Sequence, residues 1–68
     1  MTKLEVQENL FKALSDKSRI RIIKMLQKKP LCVCEITAIL KLATSTVSSH
    51  LSLLTGADLI TGTKDGKW

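Results

Sequence analysis

The chain has 68 residues, enough for one small domain (1–68) and too few for a catalytic domain beside a binding domain. Hydrophobic residues make up 44% and charged residues 25%, a globular composition, and with Phe11 and Trp68 as the only aromatics the core has to be aliphatic. Lys plus Arg number 11 against 6 Asp plus Glu, a net charge of +5 that draws a small domain toward polyanions and equally suits a merely soluble basic surface.

Taken in chain order, the apolar periodicity predicts a helix over about 4–14, with Leu10, Phe11 and Leu14 on one face. Ser15-Asp16 breaks it, and either residue can cap the next helix. That second helix runs over about 18–28, with Ile22, Ile23, Met25 and Leu26 on the apolar side. Arg21, Lys24 and Lys28 form a basic stripe at spacings of three and four, which on its own reads as a solvated face. Pro30 stops the helix. A third helix covers about 33–40, with Ile36, Ile39 and Leu40 apolar. After a short turn at 41–43, a fourth helix runs from Thr44 or Ser45 to about Leu54, burying Val47, Leu51 and Leu54, and Gly56 is expected to end it. A β-rich run at 59–63 and the Asp65-Gly66 pair predict a hairpin with a type I′ turn. Only two residues remain for its return strand. The expected fold is therefore mainly α with a small β-hairpin, a winged helix-turn-helix cut short at the wing.

Two short helices joined by a tight turn match the helix-turn-helix plan, in which the second helix enters the DNA groove. Here Ser45, Ser48, Ser49 and Ser52 fall at i, i+3, i+4 and i+7, opposite the buried side, with Thr46 and His50 beside them. Short hydroxyls allow close approach to phosphates and base edges. The same stripe could be a solubilising face, but serine is a mediocre helix former, so stability does not explain four of them. Lys64 and Lys67 would lie on the wing next to this helix. Helix pair plus basic wing is a more specific signal than either part.

Cys32 and Cys34 are separated by one residue. A disulfide between them would close a small strained ring and is not expected. Thiolates select soft or borderline ions, so arsenite, antimonite, cadmium and lead are the expected ligands. Residues two apart in a helix point about 200° apart, so joint ligation requires that the first turn be loosened or not yet helical. A helix N-terminus would also lower the thiol pKa. Alternatively, both are small buried hydrophobes. No second His accompanies His50, which is read as a DNA contact or a hydrogen-bonding cap rather than a metal ligand. An enzyme is not expected: there is no acid–base pair, no nucleophile with a partner and no Gly-rich phosphate loop. No apolar run is long enough to span a membrane and no signal-peptide pattern opens the chain, so the cytoplasm is the default compartment.

Residues 10–19 (Leu-Phe-Lys-Ala-Leu-Ser-Asp-Lys-Ser-Arg), 31–36 (Leu-Cys-Val-Cys-Glu-Ile) and 45–51 (Ser-Thr-Val-Ser-Ser-His-Leu) resemble, in register, the ArsR/SmtB family of metal-responsive repressors. The resemblance runs from about residue 9 to the end. It implies a homodimeric winged-helix protein that leaves double-stranded operator DNA when an inducer binds, with Cys32 and Cys34 as inducer ligands. In the arsenic-sensing branch a third cysteine stands where this chain has Thr37. In the cadmium- and lead-sensing branch the pair is completed by cysteines of an N-terminal arm, and residues 1–10 hold none. The arsenic-sensing branch, with As(III) as inducer ahead of Sb(III), Cd(II) or Pb(II), is the closer likeness. The chain departs from the family at Ser49 and Thr55, where basic residues are frequent, and at Gly56-Ala57-Asp58, where Glu-Ala-Gly is common. The electrostatic work then shifts to Arg19, Arg21, Lys24, Lys41, Lys64 and Lys67. Two alternatives stay open: a winged-helix DNA-binding regulator whose cysteines are structural or redox-active, and a winged-helix module that binds protein.

Overall fold

Four helices make up the regular structure: α1 (Lys3–Leu14), α2 (Lys17–Lys28), α3 (Val33–Leu40) and α4 (Thr44–Gly56). The computed structural model describes residues 2–68. Local chemistry fixes most helix ends. Thr2 and Glu5 form a capping box on α1: the Thr2 hydroxyl accepts the Glu5 N–H at 3.2 Å, and the Glu5 carboxylate accepts the Thr2 N–H at 3.4 Å. Asp16, rather than Ser15, caps α2 by accepting the Ser18 N–H at 2.7 Å. That hydrogen bond holds the Asp16 carboxyl below its ordinary pKa. Lys41, at φ 56°, closes α3 and donates its N–H to the Thr37 carbonyl at 2.8 Å.

α4 packs against each of the other three helices. Its Val47, Leu51 and Leu54 meet Ile22 of α2 and Ile36 of α3 in a fully buried cluster, closed by Ala13, Leu31 and Ile60. Burial of these aliphatic side chains is the main stabilising contribution. α1 adds only Ala13 to the buried set. Phe11, expected on an apolar face, is 71% exposed, and Ile39 of α3 is 58% exposed. Periodicity finds apolar faces but does not say which of them has a partner. No helix among the described residues is long and apolar enough to cross a membrane.

The expected strand at 59–63 does not form. Among the described residues, β pairing is limited to an isolated antiparallel bridge between Cys32 and Lys67. A strand exists only in a ladder, and the first part of this run is drawn into the end of α4: the Leu59 N–H returns to the Leu54 carbonyl at 3.0 Å. The turn itself is present in a different form. Thr63 N–H donates to the Lys67 carbonyl at 2.8 Å and Gly66 N–H to the Thr63 carbonyl at 3.2 Å. Gly66 has φ +79° and Asp65 is not among the positive-φ residues, so this is a three-residue loop ending in a left-handed glycine, not a type I′ turn. Beyond it, Trp68 exchanges backbone hydrogen bonds with Leu31, N–H to carbonyl at 2.8 and 3.3 Å.

Gly56 is the last residue of α4, as expected, but the left-handed conformation falls two residues further on, at Asp58, φ 59°. Position 58 is where the resembled family commonly carries Gly. A Cβ in that region costs about 1–2 kcal/mol, while glycine's extra freedom in the unfolded chain returns about 0.5–1 kcal/mol. Asp58→Gly is therefore expected to stabilise the domain by about 0.5 kcal/mol, a rise in Tm of roughly 2–4 °C at this size. Thermal unfolding by circular dichroism checks it; a lower Tm would count against the strain argument.

Candidate nucleic-acid interface and dithiol site

α3, the turn at 41–43 and α4 make the helix-turn-helix. Ser45, Thr46, Ser48, Ser49 and Ser52 are all exposed along one side of α4, opposite the buried Val47, Leu51 and Leu54. The N-cap of α4 is Ala43, whose side chain has nothing to offer the first-turn amides, and it makes no side-chain cap hydrogen bond. Bare N–H groups at a helix start carry partial positive charge and favour an anion. Thr55, further along, is turned inward on the backbone, its hydroxyl donating to the Leu51 carbonyl at 2.7 Å.

His50 sits at the inner edge of this face, half-buried. Its Nδ1 lies 3.1 Å from the Arg19 guanidinium. Arginine only donates, so Nδ1 accepts and the ring proton is on Nε2. Arg19 also donates Nε–H to the Ala13 carbonyl at 2.8 Å and its second amino group to the Lys12 carbonyl at 3.2 Å. One side chain thus joins the end of α1, the start of α2 and the recognition-type helix α4. The sequence marks Arg19 only as a charge; nothing in its spacing signals this bridging role. Arg21, Lys24, Lys28, Lys41, Lys64 and Lys67 are exposed.

Lys64 and Lys67 lie in the 63–67 turn, where the Thr63 hydroxyl shares its one hydrogen between the Asp65 carboxylate and the Lys67 carbonyl and accepts the Lys67 N–H at 3.3 Å. The Thr63 hydroxyl lowers the Asp65 pKa. The backbone of Lys67 bridges to Cys32, so the turn and the dithiol share one short stretch of β pairing.

Cys32 is the N-cap of α3, with extended backbone at φ −86° and ψ 164°, and helical geometry starts at Val33. This meets the geometric condition that joint ligation imposes. The Sγ atoms of Cys32 and Cys34 come together at 2.6 Å, both as free thiols, Cys34 exposed and Cys32 half-buried. Glu35 has the capping-box position: its carboxylate accepts the Cys32 N–H at 3.1 Å, and its own N–H donates to the Cys32 carbonyl at 3.1 Å on the side that faces the sulfur. The Cys-x-x-Glu spacing carries that signal. The Cys32 N–H in turn lowers the Glu35 pKa. The Cys32 thiol is pushed up rather than down, chiefly by its contact with the Cys34 thiol; the Glu35 N–H acts in the opposite sense and is outweighed. The lowering expected of a helix N-terminus is thus overturned at Cys32, where the neighbouring thiol sets the direction. Among the described residues no group of three or more His, Cys, Asp or Glu side chains is placed to hold a metal ion.

Comparison with known proteins places this geometry. A repressor of an arsenical resistance operon in Bacillus subtilis is 39% identical over 66 residues, 96% of this chain and 63% of its own length. A protein of Halobacterium salinarum described as a putative arsenical resistance operon repressor is 42% identical over 67 residues, 96% of this chain and 52% of its own. A homologue of the cadmium resistance regulatory protein CadC in Staphylococcus aureus is 41% identical over 59 residues, 85% of this chain and 49% of its own. The chain thus spans about half to three fifths of the length of these three relatives, which are transcriptional regulators and not enzymes. No solved structure gives a significant match. The model of the arsR family of bacterial regulatory proteins matches residues 16–61, from the Asp16 cap through both cysteines and the whole of α4, and the chain belongs to that family.

Proposed function

We propose that this chain is the DNA-binding and inducer-sensing part of a cytoplasmic transcriptional repressor, which binds double-stranded operator DNA as a homodimer in its full-length form. Release follows when a thiolate-bound metal or metalloid such as arsenite reaches Cys32 and Cys34. One observation carries the reading: the two thiols converge at the start of α3, the helix that packs on the hydroxyl-bearing α4. Placing one ion between the two sulfurs replaces their direct contact and spreads them, which shifts the start of α3 and the Cys32–Lys67 bridge and so disturbs the helix pair and the lysine-bearing turn together. Ser45, Thr46, Ser48, Ser49, His50 and Ser52 are the proposed groove contacts, with Lys64 and Lys67 on the phosphates. The arsenical and cadmium resistance relatives support an ion of that class as inducer.

The test is fluorescence anisotropy on the duplex upstream of the protein's own gene, under reducing conditions, with and without arsenite. Tight binding that arsenite reverses supports the proposal; binding that arsenite leaves unchanged sinks it for that ion and moves the test to antimonite, cadmium and lead. Phosphate contacts release counterions, so affinity falls with salt at a log–log slope near 0.9 per contact. Lys64→Gln with Lys67→Gln is expected to weaken binding to all sequences alike and to reduce that slope by about 2. An unchanged slope would remove these lysines from the interface. Binding that shows no salt dependence would favour a protein partner.

The sulfur contact also favours a second reading, in which the dithiol is redox-active. Release of DNA by an oxidant in the absence of any metal or metalloid, reversed by a reductant, would select it.

A further inference from the structure

His50 is the only ionisable side chain on α4, and one end of its ring is already engaged. The Arg19 guanidinium occupies Nδ1 at 3.1 Å, which leaves the proton of the neutral ring on Nε2. The two nitrogens of an imidazole point away from each other, so a ring tied inward at Nδ1 aims Nε2 outward. Among the described residues the ring makes no other hydrogen bond, and no buried side-chain nitrogen or oxygen lacks a partner, so Nε2 reaches solvent. Asp16, the N-cap of α2, stands close enough to feel the charge of His50, and Arg19 beside it answers its own charge.

We infer that His50 holds DNA as a neutral hydrogen-bond donor, giving its Nε2–H to a phosphate oxygen rather than to a base, with Arg19 fixing the tautomer that this contact requires. The inference rests on α4 being the helix that faces DNA, and it narrows the contact of His50 to the wall of the groove. At about 100° per residue, His50 lies about 60° around α4 from the buried Val47, whereas Ser45, Ser49 and Ser52 lie about 140–160° from it. The serines therefore stand on the crest that goes deepest into a groove. His50 stands on the flank toward the end of α1 and the start of α2, which Arg19 ties together at the Lys12 and Ala13 carbonyls. A flank meets the sugar–phosphate wall, and phosphate oxygens only accept. A neutral donor displaces no counterion, so this contact adds affinity without steepening the salt dependence, unlike a lysine contact.

The test is NMR of the chain labelled with heavy nitrogen. Coupling of the ring nitrogens to the carbon-bound ring protons tells the two neutral tautomers and the imidazolium apart, and with a single histidine in the chain the signals identify themselves. Spectra are recorded at about pH 8 and low salt, for the chain alone, with the duplex upstream of its own gene, and with an unrelated duplex of equal length. The expected result is the Nε2–H tautomer throughout, its proton shifted downfield and slowed in exchange with water on both duplexes. The Nδ1–H tautomer in the chain alone overturns the inference, as does an imidazolium in the complex. A change on the gene's own duplex alone places the proton on a base and overturns the phosphate contact. No change on either duplex, with anisotropy showing that both bind, overturns the contact and leaves the DNA reading standing. A chain that binds neither duplex overturns both.

Two variants separate the two ends of the ring. His50→Asn keeps an oxygen where Nδ1 stood, an acceptor for Arg19, and has nothing at the place of Nε2. His50→Gln carries an amide N–H out to that place. Asn is expected to weaken binding about tenfold on both duplexes at an unchanged log–log salt slope, and Gln to recover most of that loss. Unweakened binding by the Asn variant overturns the inference. So does a slope lowered by nearly 1, which would mark His50 as a cation at the phosphate. The tautomer reading needs no variant to fold.

Discussion

Changing Cys32 and Cys34 together to Ser leaves duplex affinity within about threefold of the parent chain, well under 1 kcal/mol, and abolishes release by every thiol-seeking inducer. The conservative half of this expectation comes from the cap. Cys32 stands at the N-cap of α3, where its carbonyl accepts the Glu35 N–H at 3.1 Å; serine is a preferred N-cap and keeps that backbone bond. Cys34 is exposed and fills no core space. The fold and the α3–α4 pair therefore stay as they are. The other half comes from donor chemistry: a neutral hydroxyl is a poor ligand for soft ions. Anisotropy titrations with and without arsenite measure both halves. Release that persists in the double variant would move the sensor away from these residues. The same chemistry sets a pH dependence. Because the Cys34 contact pushes the Cys32 thiol up, Cys32 is protonated at neutral pH and must lose its proton to bind. A divalent ion such as Cd(II) releases those protons and binds more tightly as pH rises toward the thiol range; with arsenite each thiol proton leaves with a hydroxide as water, so no such rise is expected.

The helix-turn-helix is legible in the sequence because its signals are local. Val47, Leu51 and Leu54 repeat at helical spacing, and all are buried; the bounds 33–40 for α3 follow from Pro30 before it and from the short turn after it. The hydroxyl face of α4 follows from the same periodicity. Three kinds of feature escape such a reading. Apolar periodicity passes over the caps, although Thr2 with Glu5 and Cys32 with Glu35 have the spacing for them. Gly56 marks the helix end, but the left-handed residue after it is Asp58, set by the Leu59-to-Leu54 hydrogen bond and announced by no glycine. β propensity at 59–63 suggests a strand, but pairing is a property of two segments, and only Lys67 and Trp68 find a partner, at Leu31 and Cys32. The local pattern of neither segment contains that last pairing. It is also what ties the dithiol to the lysine-bearing turn.

Arg19→Ala is expected to give a large loss of stability, about 2–3 kcal/mol, since it removes hydrogen bonds from a charged donor to two backbone carbonyls and to His50. In a domain of this size that lowers Tm by roughly 10–20 °C. Arg19 is one of the basic residues to which the DNA electrostatics could shift, and the structure gives its guanidinium three protein partners instead. The two roles make opposite predictions about salt. If Arg19 neutralised a phosphate, its removal would lower the log–log salt slope by nearly 1. If it positions α4, its removal weakens binding by tilting or loosening that helix and leaves the slope where it was. The expected result is weaker duplex binding at an unchanged slope, measured below the variant's own Tm. Arg19→Lys sharpens the distinction. It keeps the charge, so it would rescue binding to a phosphate. A single ammonium lacks the planar fork that reaches the Lys12 and Ala13 carbonyls and the His50 ring at once. Lysine is therefore expected to recover little of the stability that alanine removes, and full recovery by lysine would show that charge, not geometry, is what Arg19 supplies.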